Sequence, residues 1–499
     1  MEKNTSLSQK VIRGGAWVFS LNAVTHGLVF IRTVILARLL LPTDFGLVGI
    51  AMIAISIILV FSGTGFAPAL IQKKSGTSDY LNTAWCVEAV RGIVLAFILF
   101  LFAPLIATFF NNPEAKLVIQ VMAIAIALTG LTNMGMIYFQ KELQFEKLFI
   151  YNFSTQMATL IVSVSLAFIL RNVWALVYGT IFGAMTKLIL SYVLHPFRPN
   201  FKFDLDKAKE LFRFGRWLFG SGILTFLITQ ADDIFVGKLL GVAALGFYTM
   251  AYRLSNLPAT EITHVVSQVT FPAYSKLQDN FLKLKEGYLK TIHLIAFVSI
   301  PLAGGIFISA PEFTRIILGE KWMPMVPAMQ VLALWGLIRS LGSTQGPLLY
   351  AIGKPEIITR AHFLQAILLI SIIYPFTIKW GILGASLAVL LTSLINPIGY
   401  YAYYYILNKI RCPILTFVRL LVIPLIGTLV MVLFIRLFFI YLPELNFITF
   451  LGAVGVGMLI YLGVIYYFEK QYNYNITNLV KQIIPKKTSG ISAKIEEKS

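Results

Sequence analysis

Two cysteines in 499 residues, Cys86 and Cys412, are too few for a disulfide framework or a cysteine-built metal centre. Histidine is nearly as scarce: five lie scattered at 26, 195, 264, 293 and 362, and no H-E-x-x-H pair occurs. No G-x-x-x-x-G-K-[ST] loop is present, so the chain encodes no P-loop ATPase. Charged residues make up only 13% of the sequence against 58% hydrophobic, far too little polar surface for a soluble protein of this length. Acidic residues are the scarcer charged class, 22 against 41 Lys and Arg, for a net charge of +19. In a soluble protein that excess would suggest nucleic acid. In a membrane protein it reports orientation, because Lys and Arg collect on the cytoplasmic side, and no nucleic-acid partner is expected. No cleavable signal is expected either: a polar stretch of ten residues precedes the first apolar run, and no A-x-A-like site follows a short core.

What the chain has in abundance is apolar runs of roughly 20 residues, each long enough to cross about 30 Å of hydrocarbon as a helix. Backbone in lipid must satisfy its own hydrogen bonds, and runs of this length exclude barrel strands. The expected fold is therefore an all-α integral membrane protein with about fourteen transmembrane helices. They fall near 15–38, 45–70, 82–108, 116–138, 148–170, 173–195, 217–240, 245–272, 289–310, 326–351, 357–378, 380–407, 414–440 and 447–468. Connections alternate in character. One set is basic, including Lys3, Lys10 and Arg13, Lys73-Lys74, Lys141 with Lys147, Arg198 to Arg216, and Lys276 to Lys290. The other is short and poor in charge, as at Leu41 to Asp44 and Gly241 to Leu245. The charge rule then puts both termini in the cytoplasm of a multi-pass protein of the inner (cytoplasmic) cell membrane.

Residues 212–248 repeat residues 12–48 at an offset of 200 without a gap. Ile12-Arg13-Gly14-Gly15-Ala16-Trp17 lies under Phe212-Arg213-Phe214-Gly215-Arg216-Trp217, Arg38-Leu39-Leu40 under Lys238-Leu239-Leu240, and Gly46 under Gly246. Gly381 to Ala385 likewise takes the place of Val173 to Val177. The chain thus divides into a first lobe (1–195, spans 1–6), a linker with an amphipathic helix (196–216), a second lobe (217–407, spans 7–12), spans 13 and 14 (408–468) and a tail (469–499). Leu205, Ala208, Leu211 and Phe212 share the apolar face of the linker helix. Two like halves give a membrane protein a natural substrate position between them, and a natural motion, one half rocking against the other.

Charges inside the spans point to that position, since each costs roughly 2.5–3.5 kcal/mol at the bilayer centre and seeks a partner or a wet cavity. In span eight Arg253, Thr260, Glu261, His264 and Gln268 share one helical face interrupted by Pro258. The alternative is a network holding that span to its neighbours. Span seven carries Ser221, Thr225, Thr229 and then Asp232-Asp233; span one carries Asn22, His26 and Arg32. By the offset, Arg32 sits where Asp232 sits in the other half, so the two are expected either to pair across the halves as an outer gate or to snorkel to the interface. Asp232, Asp233 and Glu261 are also candidates for ion coupling. Arg339 in span ten is a further cavity candidate, Glu88 and Arg91 are spaced to pair with each other, and Gly63, Gly65 and Pro68 are a candidate hinge in span two.

Arg13-Gly14-Gly15-Ala16-Trp17, Ile35-Leu36-Ala37-Arg38-Leu39-Leu40, Asp44-Phe45-Gly46-Leu47, Asp232-Asp233 and Gly246-Phe247-Tyr248 resemble the Wzx-like oligosaccharide flippases of polysaccharide synthesis. These belong to the multidrug/oligosaccharidyl-lipid/polysaccharide (MOP) exporter superfamily. The resemblance implies a V-shaped, MATE- and MurJ-like fold of two pseudo-symmetric six-helix lobes, a cavity lined by spans 1, 2, 7 and 8, and two C-terminal helices that make a groove for a lipid tail. It also implies outward flipping of a polyprenyl-diphosphate-linked oligosaccharide, such as a lipopolysaccharide, teichuronic or colanic acid precursor. Expected partners are that lipid, anionic membrane lipids, Na+ or H+ as coupling ion, and the polysaccharide polymerase machinery; no cofactor, metal or catalytic residue is expected. Two other readings stay open, an ion-coupled multidrug exporter of the same superfamily and a membrane glycosyltransferase or polymerase.

Overall fold

A computed structural model of the chain describes residues 24–73, 76–142, 144–441 and 446–472, with backbone alone at 214–222, 257–269, 271–273, 276, 469 and 471–472. All the regular structure among these residues is helical. In chain order the helices are α1 (24–39), α2 (Pro42–Phe61), α3 (Phe66–Gln72), α4 (Ser78–Phe109), α5 (Ala115–Gly130), α6 (Ile137–Lys141), α7 (Phe145–Leu170) and α8 (Trp174–Leu194). The second half holds α9 (Leu205–Leu240), α10 (Val242–Leu277), α11 (Phe281–Phe313), α12 (Val326–Gly342), α13 (Gln345–Ala351), α14 (Pro355–Leu394) and α15 (Pro397–Lys409), followed by α16 (Ile414–Tyr441) and α17 (Phe447–Tyr472).

Nine stretches among the described residues are long and apolar enough to cross a membrane, or ten if the bent pair α5–α6 is one span. Residues 355–409 count there as one stretch but cannot be one crossing, since a helix of that length would be more than twice the bilayer's thickness. The chain doubles back at Gly381 (φ +60°), and a side chain on Gly384 would collide with the Phe376 carbonyl, so the two arms lie backbone to backbone. Adding α1, α9 and α10, whose runs include residues without described side chains, the helices are consistent with fourteen crossings.

Several expected spans are broken where the sequence supplies a breaker. Span two stops at Phe61, and α3 restarts after Gly65 (φ +67°), at the candidate hinge. Glu88 and Arg91 pair at 2.6 Å and tie this break to α4: Glu88 also accepts from Thr64 Oγ1, and Arg91 Nε donates to Ser62 Oγ at 3.2 Å. Span four bends by 65° after Gly130. The linker differs from expectation. It is not a separate surface helix; α9 runs unbroken from Leu205 to Leu240, because no proline interrupts it and Asp204 caps its start by accepting from the Asp206 and Lys207 amides. Of the expected amphipathic face, Ala208 and Leu211 are buried against the first half, whereas Leu205 and Phe212 are exposed.

The helices of each half pack mainly on one another: α4 on α5 and α7 on α8 in the first, α9 on α14, and α10 and α11 on α12 in the second. α16 leans on α11, and α17 on α16. The halves meet where α2 crosses α9 and α10. This contact obeys the sequence repeat. A Cβ on Gly46 would fall on the Val242 carbonyl, and a Cβ on Gly246 would fall on the Pro42 carbonyl, so the pairs 46–242 and 42–246 exchange under the 200-residue offset. Phe45 and Phe247 then close edge-on upon Trp322, with centroids 5.2 and 5.9 Å away. The crossing lies at the end of the bundle opposite the linker, called the far side below.

A valine at position 246 cannot fit this crossing. Gly246→Val is expected to leave the protein in the membrane but unable to close its far side, so that a cysteine at Phe247 reacts several-fold faster with a membrane-impermeant maleimide than it does beside Gly246. Equal labelling rates would contradict the crossing.

Candidate functional site

The ends of α1 and of α11 run out on the far side with unpaired carbonyls, and each half caps the other's. From the second half, Lys321 Nζ donates to the carbonyls of Arg38 (2.9 Å) and Leu40 (2.7 Å), and Trp322 Nε1 donates to Ala37 O (2.9 Å). From the first half, Arg38 Nε donates to Ile317 O at 2.7 Å and a second guanidinium nitrogen donates to Ile316 O, both in the π-helical turn Thr314–Leu318. Cations at helix C-termini also oppose the helix dipole favourably. Lys238, the repeat partner of Arg38, reaches in turn from the second half to Asn111 Oδ1 at 3.4 Å, beyond the end of α4. The far side is thus sealed by a reciprocal set of helix caps.

Beneath the seal, Arg32 of α1 and Arg253 of α10 come within electrostatic reach of each other. They belong to different halves. Arg253 is exposed and Arg32 is half-buried. Neither makes a hydrogen bond or ion pair among the described residues. Thr225 is exposed on α9, and Thr229, half-buried, returns its hydroxyl to Thr225 O at 2.8 Å. His26 is half-buried on α1.

Asp232 belongs to a different environment. It is 1% exposed; its Oδ2 accepts from the Tyr248 hydroxyl at 2.6 Å and its Oδ1 has no partner among the described residues, nor does Asp233 Oδ1. The expected Arg32–Asp232 pair is not formed. Asp232 is held by Tyr248 of its own half, while Arg32 lies within electrostatic reach of Arg253. Tyr252, one turn beyond Tyr248, lies within electrostatic reach of Asp232, Asp233 and Arg339, and Arg339 also stands 5.5 Å from the centre of the Trp335 ring. Arg339 and the two carboxylates therefore act on the same Tyr252 side chain. Asn22 lies outside the described residues. The α10 backbone passes through Glu261, His264 and Gln268 as one unbroken helix, but their side chains are not described.

Sequence reasoning missed the far-side caps and the role of Tyr248. Arg38, Lys238 and Tyr248 were visible as parts of the repeat and of the family motifs, but helix-end carbonyls leave no mark in a sequence.

Comparison with known proteins fits this architecture. The profile of a family described as "Polysaccharide biosynthesis protein" matches residues 35–327, more than half of the chain. The chain belongs to that family. Among its relatives, the chain is 28% identical over 399 residues to the lipopolysaccharide biosynthesis protein WzxC of Escherichia coli K12, covering 79% of this chain and 80% of that one. It is 29% identical over 298 residues to the teichuronic acid biosynthesis protein TuaB of Bacillus subtilis 168, covering 59% and 61%. Among solved structures it resembles the lipid II flippase MurJ in an inward closed conformation, with a TM-score of 0.72 at 17% identity over 92% of this chain and 99% of that one. A multidrug MATE transporter of the MOP superfamily in an inward-facing conformation gives a TM-score of 0.58 at 15% identity over 78% and 95%. The likeness places this family member in the two-lobe fold of those transporters, with α16 and α17 outside the repeat.

Removing donors from the seal tests the geometry. Lys321→Ala deletes two charge-assisted hydrogen bonds, each worth about 1.5–3 kcal/mol. Spin labels at Thr43 and Glu320 are therefore expected to separate in a larger fraction of molecules than in the parent; an unchanged distance distribution would contradict a seal held by caps.

Proposed function

We propose that this protein flips a polyprenyl-diphosphate-linked oligosaccharide from the cytoplasmic to the outer leaflet by alternating access, for cell-surface polysaccharide synthesis. The observation that carries this reading is the Arg32–Arg253 pair. Two guanidiniums from opposite halves, within electrostatic reach of each other and with no carboxylate paired to either among the described residues, repel each other and remain partly desolvated. A visiting diphosphate would relieve both costs, because Arg meets phosphate with paired, charge-assisted hydrogen bonds. The polar glycan would occupy the space between the halves while the polyprenyl chain stays in lipid.

In this reading the linker side is cytoplasmic, both termini lie there, and the protein resides in the inner (cytoplasmic) membrane. The basic connections Lys73, Lys141, Lys147 and Arg198 to Arg213 all lie on that side, which supports the assignment. The far-side seal then makes the present conformation closed to the outside. Rocking would break the caps, pass the α1 and α11 carbonyls to water and open the chamber outward. The domain organisation follows: lobes 1–195 and 217–407 move, and residues 196–216 join them. No enzymatic step is needed.

Energy has two candidate sources. An interior-negative potential favours outward movement of an anion by about 2.3 kcal/mol per charge per 100 mV. Asp232 supplies the second: a carboxylate so buried, with one oxygen unpartnered, is held either protonated or on a monovalent cation, since an uncompensated buried charge costs several kcal/mol. Exchange of H+ or Na+ there could bias the second half. Glu261 and Asp233 are further candidates for this exchange, and Asn22, His26, Thr225, Thr229, His264, Gln268 and Arg339 for the wall of the passage. An ion-coupled drug exporter is the competing reading. It is disfavoured by the arginine pair, because an exporter of cationic drugs requires an acidic chamber.

In proteoliposomes with a defined polyprenyl-diphosphate sugar, Arg253→Ala is expected to flip at least about tenfold more slowly, the loss of one charge-assisted contact. Arg253→Lys should recover part of the rate. Normal flipping by a well-folded Arg253→Ala would remove the pair from the pathway. Asp232→Asn, which keeps the hydrogen bond to Tyr248, is expected to erase any dependence of the rate on imposed Na+ or H+ gradients while still flipping under a potential; a retained gradient dependence would place coupling elsewhere.

A further inference from the structure

The linker-side rim of the first half carries a groove that the chamber between the halves does not use. It is a shallow, open groove of about 650 Å³ lined by Leu131, Leu188, Ile189, Tyr192, Val193 and Arg198. One wall is the last turns of α8, where Ile189 and Val193 are 50% and 70% exposed on a membrane-spanning helix, so the groove opens sideways toward acyl chains. The other is the bend after α5. Every lining residue but two is aliphatic, and the two polar ones, Tyr192 and Arg198, stand together at the linker end.

Arg198 is exposed just past α8. Its Nη1 donates to the carbonyls of His195 (2.8 Å) and Phe197 (3.0 Å), and its guanidinium lies 6.0 Å from the centre of the Tyr192 ring. Among the described residues its other N–H groups find no partner and no carboxylate forms an ion pair with it. Lys147 and Arg198 both act on His195, whose pKa is lowered first by burial and then by those two charges, with Glu142 opposing them. Beside the groove, Phe201 (84% exposed) and Phe203 flank Lys202, and Phe201 meets Trp85 edge-on at 5.1 Å. Exposed aromatics alternating with basic residues suit the headgroup layer of a bilayer.

We propose that this groove binds an anionic phospholipid, with one acyl chain laid between α5 and α8 and the phosphate on Arg198. A soluble anion would gain nothing from the aliphatic wall, and a zwitterionic lipid would gain less from the lone guanidinium. The site is coupled to the fold. Leu131 O accepts from Tyr192 Oη at 3.0 Å and from Trp85 Nε1 at 3.3 Å. The Asn133 amide donates to Ser191 Oγ, and Asn133 Nδ2 donates to Phe197 O. A lipid seated there rests on the residues that fasten the bend of span four to the linker.

The test uses the full chain in detergent with equal amounts of dioleoyl-phosphatidylglycerol and dioleoyl-phosphatidylcholine, read by native mass spectrometry. The protein is expected to retain phosphatidylglycerol preferentially. Arg198→Glu should cut that preference about fivefold or more, in line with about 1 kcal/mol per basic residue at a membrane surface, and Arg198→Lys should keep most of it. Ile189→Trp, which fills the groove at an already exposed position without changing charge, should lower retention too, and it carries the test alone if Arg198→Glu fails to fold. Equal retention of the two lipids, or an unchanged preference in Arg198→Glu or Ile189→Trp, overturns the proposal. So does displacement of the lipid by free glycerol phosphate at the same concentration, which would mark a simple anion site. None of these readouts depends on flipping.

Discussion

Where α2 meets α10, two helix backbones touch with no side chain between them. Gly46 rests on the Val242 carbonyl and Gly246 on the Pro42 carbonyl, so the contact is its own mirror under the repeat of the sequence. Such closeness brings the first turn of each helix to the other half and sets Phe45 and Phe247 edge-on against Trp322. Trp322 in turn is fully buried and caps α1 through Ala37 O. Backbone contact is short-ranged and unforgiving: it is made or it is lost. A junction of that kind suits a protein whose halves must separate as units, because packed interfaces favour discrete states over gradual deformation.

The far-side caps extend the same logic. Arg38, Lys321 and Lys238 are cations that reach across to helix-end carbonyls or an amide of the opposite half. Water can replace each of these partners when the halves part, so opening leaves no orphaned buried donor and costs far less than breaking an apolar core would. Below the seal the chemistry changes from capping to unsatisfied charge. Arg32 and Arg253 lie within electrostatic reach of each other with no acid paired to either among the described residues, while Asp232 is folded away with Tyr248. In the proposed reading, keeping Asp232 on Tyr248 and away from the arginines would favour an anionic substrate between the halves.

Much of this was legible in the residues. Apolar runs marked the crossings, the 200-residue offset marked the halves, and glycines 63 and 65 marked the break in span two. Glycine pairs at 46 and 246 stood out in the repeat as aligned letters, but their meaning as a contact between halves needs three dimensions. Pairing Arg32 with Asp232 was a natural reading of opposite charges at matched positions. It failed because equivalent positions in two pseudo-symmetric halves need not face each other, and because Tyr248, one helix away from Asp232, offered a nearer partner. The linker was misjudged for a simpler reason: an amphipathic stretch followed by an apolar run, with no proline between, has no cause to stop being a helix. Interactions with backbone carbonyls, such as those of Arg38 and Lys321, are invisible to side-chain pattern at any length.

In the proposed mechanism the halves close on the far side above Arg32 and Arg253 and reopen there in exchange for closing on the linker side. Pulsed spin-label distances measured in one reconstituted protein, for one far-side pair across the α2–α10 crossing and one linker-side pair across the halves, address it directly. The account predicts two populations at each pair, anticorrelated, with the balance shifted by a polyprenyl-diphosphate sugar. A far-side distance that stays single and short while lipid-linked sugar is being flipped would contradict it.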